Sequence, residues 1–204
     1  MAGDLGEGFQ DEPLAPVVST RRVFTRFEGL RLRAGVVVRL HAAAARLPEG
    51  FALLVMDGWR TLDGQRAHHA ALAGRTRRRQ DVDRFVFDPD AQAPVVPGTD
   101  PPHRTGGAVD VVLVGPDDKP WPNSTVDPGP LSATMALEAL GQRRPLTVVE
   151  EQARVGRSML VGAMTSCGFT NYPAEWWHFD FGNAFWRHFG GHGPGPVYGI
   201  VESP

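Results

Sequence analysis

Residues 103–114 read HRTGGAVDVVLV, and no other stretch decides as much about the fold. From Ala108 to Val114 the run is apolar and rich in β-branched residues, with one charge, Asp110, inside it. β-Branched side chains suit a pleated surface, so the run predicts a central strand. Side chains alternate along a strand, which sets Asp110 on one side and Val109 and Val111 on the other. A buried carboxylate needs a partner or a metal, because an unpaired buried charge is costly. His103 lies seven positions before Asp110. The Gly106-Gly107 pair lets the chain turn sharply between the two. Pro101-Pro102 stiffens the entrance and predicts that the chain reaches His103 extended.

A second histidine, His178, follows far downstream in EWWHF. Two imidazoles and one carboxylate can hold a zinc ion and leave its fourth position open. Glu175, three residues before His178, is within reach of that open position as a general base. Trp176 and Trp177 would supply a dry wall, and burial raises the pKa of a carboxyl group toward the range a base needs near neutral pH. Each residue taken singly also has an ordinary reading: a surface histidine, a strand-end aspartate, a packed tryptophan pair. Two other assignments use the same residues. A non-haem Fe(II) oxygenase would take the two histidines and Asp110 as a facial triad, with no evident use for Glu175. A non-catalytic zinc module would keep the ligands and need no general base.

The bulk numbers are consistent with one packed domain. The chain has 204 residues, 42% of them hydrophobic, enough for one core and short for two. The net charge of −2 argues against a binder driven by nucleic-acid phosphates. The single cysteine, Cys167, excludes an intramolecular disulfide and reads as a small buried hydrophobe. The N-terminus lacks the basic and apolar regions of a secretory signal, and FALLVM is too short to span a bilayer. The expectation is a cytoplasmic bacterial protein with a small peptide as its partner and no nucleic acid or membrane. The oligomeric state is left open.

Residues 1–18 read as a loose arm and residues 19–204 as a single domain. Val36 to Leu47 has helical periodicity, with Val36, Leu40, Ala43, Ala44 and Leu47 on one face. Phe51 to Met56 reads as a buried strand turning at Asp57-Gly58. Thr61 can cap a second helix with Ala67 and Ala71 on one face. His68-His69 falls on the exposed side of that helix, and Arg75 to Arg79 reads as its solvated basic end. Five prolines between Asp88 and His103 mark a loop, and Pro116 to Pro130 is another. Thr147 and Glu150 form a capping box, opening a helix with Val149, Ala153, Gly156, Leu160, Ala163 and Cys167 on one face. His178 to Phe181 reads as a strand and the tail from Gly190 as irregular. Helices and strands mix without a βαβ rhythm. This predicts an α+β single domain with a largely antiparallel central sheet flanked by helices.

His103, Gly106, Ala108 and Asp110 form H-x-x-G-x-A-x-D, and Glu175 to His178 form E-W-W-H. Together they resemble the M15 peptidase family, the VanX-type D-Ala-D-Ala dipeptidases and related D,D- and L,D-carboxypeptidases. Asp57-Gly58-Trp59-Arg60 is similar to the family's D-G-Y-R-P segment, with Trp59 for Tyr and Thr61 for Pro. The resemblance implies the hedgehog-like peptidase fold of that family. It also implies one zinc ion per chain held by His103, Asp110 and His178, Glu175 as base and then acid, and Arg60 at the oxyanion. An ion pair with Asp57 or Asp63 is the structural alternative for Arg60. The chain departs from the family in two places. Pro101 stands where a serine is usual, two residues before His103. Ser124-Thr125-Val126-Asp127 is the nearest counterpart of G-T-x-F-D, which assigns Asp127 to the substrate amine, with a turn residue before Pro128-Gly129 as the alternative.

Overall fold

The computed structural model describes residues 12–75, 99–122, 126, 128–193 and 198–203. Its centre is the expected strand, β5 (Ala108–Val114), buried along its whole length. Four other strands join it in a five-stranded sheet: β2 (Val23–Thr25), β4 (Ala52–Asp57), β6 (Thr170–Asn171) and β7 (His178–Asp180). The spatial order is β2-β4-β5-β7-β6. Only the β2–β4 pair is parallel; the other pairs are antiparallel. The sheet is thus largely antiparallel, as the sequence predicts. β1 (Leu14–Pro16) and β3 (Arg31–Arg33) form a separate antiparallel pair.

The described part of the N-terminal arm departs from expectation. Residues 12–18 are not loose, because Leu14–Pro16 pairs with β3 and the Arg33 guanidinium donates to the Glu12 carbonyl. Glu12 in turn accepts from the Gly35 N–H and the Tyr198 hydroxyl.

Helix α1 (Ala34–Arg46) forms because Val36, Leu40, Ala43 and Ala44 recur on one face, and all four are fully buried. Burying a side chain such as Leu40 stabilises by about 1.5–3 kcal/mol. The orphan carbonyls at the helix end are satisfied by Arg22, which donates to Ala44 and Leu47. The predicted capping box is present at the start of the long helix over Val148–Thr165. Ala153 and Gly156 of this helix are buried, and Leu160, Ala163 and Met164 share one core cluster with Val109 and Val111 of β5. Val149, in its first turn, is exposed rather than inward. Cys167 lies past its end and is half-buried against the core.

Helix α2 (Leu62–Arg75) begins where Thr61 accepts the Gly64 N–H. Its inward residues are Gln65 and Leu72, whereas Ala67 and Ala71 are accessible. Two short helices complete the described elements, α3 (Ala136–Gly141) and α5 (Ala184–Gly190), so the long helix is α4. Neither is among the helices expected from periodicity. The tail near Tyr198 is irregular but tethered: Arg33 donates to Gly199, Trp59 to Val201, and Val201 to Arg104. Among the described residues, no helix is long and apolar enough to cross a membrane. The prolines and arginines predicted to form loop and helix end between 76 and 98 lie outside the described residues.

Candidate active site

Strand pairing sets three charged or ionisable residues in one row across the sheet. Asp57 on β4 is the cross-strand partner of Asp110 on β5, and Asp110 is the partner of His178 on β7. The register of β4 shifts between Val55 and Asp57. Such a bulge re-aims a strand end, and here it turns the Asp57-Gly58-Trp59-Arg60 segment toward the row.

His103 reaches the row from the other side. The expected extended entrance ends at Pro101, and His103 sits in a 3-10 turn over Pro102–Thr105. A proline has the φ of a first helical turn and no N–H that the turn would need, so Pro102 starts the turn rather than preventing it. Gly106 ends it with φ +72°, and a Cβ at Gly107 would meet the Phe181 carbonyl oxygen at 2.6 Å. Both glycines are therefore required where the chain passes from His103 into β5.

His103, Asp110 and His178 are buried, and one ligand atom from each lies within 4.8 Å of the others. Asp110 Oδ1 is 2.9 Å from His178 Nδ1 and 3.5 Å from His103 Nε2. The outward nitrogens are engaged elsewhere. His103 Nδ1 is 2.7 Å from the Gly58 carbonyl, an acceptor only, so Nδ1 carries the proton and Nε2 presents its lone pair. His178 Nε2 faces the Asp180 carboxylate. Burial alone would raise the Asp110 pKa, but His103 and His178 outweigh it and hold it well below the usual carboxylate range. Burial likewise opposes charging His178, and Asp180 and Asp110 more than compensate. Concentrated negative charge around two imidazoles, one of which gives up its Nδ1 proton when a metal binds, is a donor set suited to a divalent cation.

Glu175 stands beside this cluster, with Oε2 3.7 Å from His178 Nδ1. A tight turn places it: Glu175 N–H donates to Tyr172, and His178 N–H donates to Glu175. The Trp177 backbone also joins the sheet, because the Val111 N–H donates to the Trp177 carbonyl. Trp177 lines the cleft, while Trp176 packs at a right angle to it and under the Arg157 guanidinium. Burial pushes the Glu175 pKa up to about 8, with His178 pulling it down and Asp110 pushing it up.

Arg60 adopts the ion pair with Asp57 and also lines the cleft. Its Nε and one Nη donate to Asp57 Oδ2, and the other Nη donates to Gln65. These bonds use three of the five guanidinium hydrogens, leaving one on each terminal nitrogen of a side chain that lines the cleft.

The cleft enclosed by these groups has a volume of about 590 Å³, and Phe27, Met56, Leu72, Tyr172 and Phe185 supply apolar wall. Residues 33–189 match the M15 peptidase family described as D-Ala-D-Ala dipeptidase. This chain belongs to that family. A D-alanyl-D-alanine dipeptidase of Synechocystis is 29% identical over 181 aligned positions, spanning 76% of this chain and 70% of that protein. The chain is therefore an enzyme of the peptidase class, and its buried His-Asp-His cluster is a candidate metal centre.

Three features of this M15 peptidase's site escaped the sequence reading. His68 lies on the exposed face the sequence predicts for it and in addition borders the cleft, where desolvation and then the Arg60 charge bring its pKa down to about 4. Gln65 tethers Arg60, which i,i+5 spacing on a helix start did not suggest. Asp180 backs His178, a contact that strand alternation at i+2 would have indicated. Asp127 lies outside the described residues, and Pro101 bounds the turn that carries His103 without contributing a side-chain hydrogen bond.

Proposed function

We propose that this M15 peptidase is a zinc-dependent dipeptidase that hydrolyses D-Ala-D-Ala or a closely similar short peptide. The observation that carries the reading is the Glu175 carboxylate 3.7 Å from His178 Nδ1, the same nitrogen that lies 2.9 Å from Asp110. A base is thus adjacent to the ligand cluster, which an Fe(II) oxygenase or a purely structural zinc module would not require.

A zinc ion held by His103, Asp110 and His178 would supply Lewis acidity, polarising the scissile carbonyl and making a water more acidic. The protein's own groups do the rest. Glu175 accepts a proton as the water oxygen adds to the carbonyl carbon. It then delivers that proton to the amine nitrogen as the C–N bond breaks, so one carboxyl group serves as base and acid. A nearby cation favours the carboxylate, which offsets the burial that raises the Glu175 pKa. Arg60 stays charged throughout and stabilises the tetrahedral oxyanion with the hydrogens it does not give to Asp57 and Gln65. Asp57 and Gln65 hold that guanidinium in place, so little reorganisation is needed during the reaction. The apolar wall excludes water beside the reacting bond and strengthens each of these interactions.

The reading is tested by a panel of D-Ala-D-Ala, L-dipeptides, mixed dipeptides and longer D-Ala-terminated peptides, each with and without a zinc chelator. Hydrolysis of a D-dipeptide that chelator abolishes and added zinc restores is the expected result. Cleavage confined to longer peptides would reassign it as a carboxypeptidase. Inactivity with zinc bound would favour a non-catalytic role.

A further inference from the structure

We propose that Asp180 is a positioning residue for the metal centre, holding His178 with Nδ1 turned inward. The inference rests on the reading of His178 as a zinc ligand. Asp180 follows His178 by two positions in β7, so both side chains project from the same face of the strand. Its two carboxylate oxygens lie 3.3 and 3.2 Å from His178 Nε2, on the ring edge opposite Asp110. Asp180 is 1% exposed. It does not belong to the three residues whose ligand atoms converge, so it backs the cluster from behind.

The surroundings fix the carboxylate rather than neutralise it. Asn183 donates to Asp180 Oδ1 at 2.6 Å, and the other Asn183 group accepts the Trp186 N–H at the start of α5. Backbone pairing locks Asp180 between Ala108 of β5 and Thr170 of β6. Among the described residues, Oδ2 has no well-aligned hydrogen-bond partner. A buried carboxylate in that condition is costly unless a positive or strongly donating group faces it, and the group that faces it is the His178 imidazole. In the neutral imidazole that a metal requires, an Nε2–H directed at Asp180 leaves the lone pair on Nδ1. It also makes the imidazole a better electron donor through Nδ1. The two histidines are therefore oriented by different devices. His103 leans on a neutral carbonyl, Gly58, and His178 on a charge. Removing Asp180 should weaken metal binding, whereas the His103 contact has no side chain to remove.

The test compares wild type, Asp180→Asn, Asp180→Ala and His178→Ala for zinc affinity by competition with a chromophoric chelator. Circular dichroism and thermal melting establish that each variant is folded. Asp180→Asn preserves shape and so separates charge from packing. Both Asp180 variants should bind one zinc about 10–100-fold more weakly than wild type, and His178→Ala should bind more weakly still. The cobalt(II) form of Asp180→Asn should show a shifted visible spectrum, a change that a purely structural role for Asp180 would not produce. Wild-type zinc affinity and an unchanged cobalt spectrum in folded Asp180→Asn and Asp180→Ala would overturn the proposal while leaving the ligand assignment standing. Wild-type affinity in His178→Ala would overturn the ligand assignment and this role with it.

Discussion

Asp110 and His178 are Cα partners across β5 and β7, and their side chains meet at 2.9 Å between Oδ1 and Nδ1. A register slip of one residue would turn one of them to the opposite face, so the metal site depends on the same pairing that closes the core. Asp110→Asn should keep the fold, since the shape is conserved and both neighbours, Val109 and Val111, are untouched. Its zinc affinity, read by calorimetric titration, should fall further than the about 10–100-fold expected for an outer-sphere partner.

The Asp57–Arg60 pair predicts a separation of binding from turnover. Asp57→Ala removes the acceptor of two Arg60 hydrogen bonds and contributes nothing to the ligand cluster. Displacing a positioned group by about 1 Å can cost roughly 10²-fold in rate. Steady-state kinetics of Asp57→Ala should show kcat reduced by about that factor with one zinc retained per chain. A loss of zinc with kcat per bound zinc unchanged would contradict the tether.

Gly156 offers a stability test in which two principles oppose each other. Helix propensity alone predicts that Gly156→Ala gains up to about 1 kcal/mol. A Cβ there would meet Trp121 Cδ1 at 2.3 Å, and Trp121 is held by its N–H bond to the Gln152 carbonyl. Overpacking a fixed ring costs about 1–3 kcal/mol, so denaturant melts should show Gly156→Ala to be destabilised.

Acid stability should carry the signature of the α4 capping box. Glu150 is brought down from 4.5 to about 2, chiefly by the Arg144 guanidinium and then by the Thr147 backbone N–H. A depressed carboxyl pKa contributes stability that is present above pH 4.5 and lost as pH falls through about 2. Glu150→Gln should flatten the stability–pH profile in that window and lie below wild type by a constant amount above it. An identical profile in the two proteins would contradict the assignment.

Much of this arrangement is visible in the sequence because its causes are local. The β-branched run of β5, the Thr147–Glu150 cap and the alternation around Asp110 each act within a few residues. His103, Asp110, Glu175 and His178 stand in short motifs whose chemistry is readable before any fold is known. The misses have non-local causes. β1, β2 and β3 are three residues each, too short for periodicity, and exist through partners found elsewhere in the chain. The Arg33 clasp joins Glu12, Thr105 and Gly199, positions brought together only by folding. The turn at His103 departs from the extended chain its prolines predict, because proline restricts the residue before it and yet suits the first position of a turn. Asp180 is the exception: its i+2 spacing from His178 in a strand was a usable signal.

The most direct test of the account is the hydrolysis of D-Ala-D-Ala by Glu175→Gln, measured together with its zinc content. Glu175 is adjacent to the cluster but is not one of its three converging ligands. The variant should therefore retain one zinc per chain while its rate falls by about 10²–10⁴-fold. Hydrolysis at the wild-type rate with zinc bound would contradict the central claim that this carboxylate moves the proton.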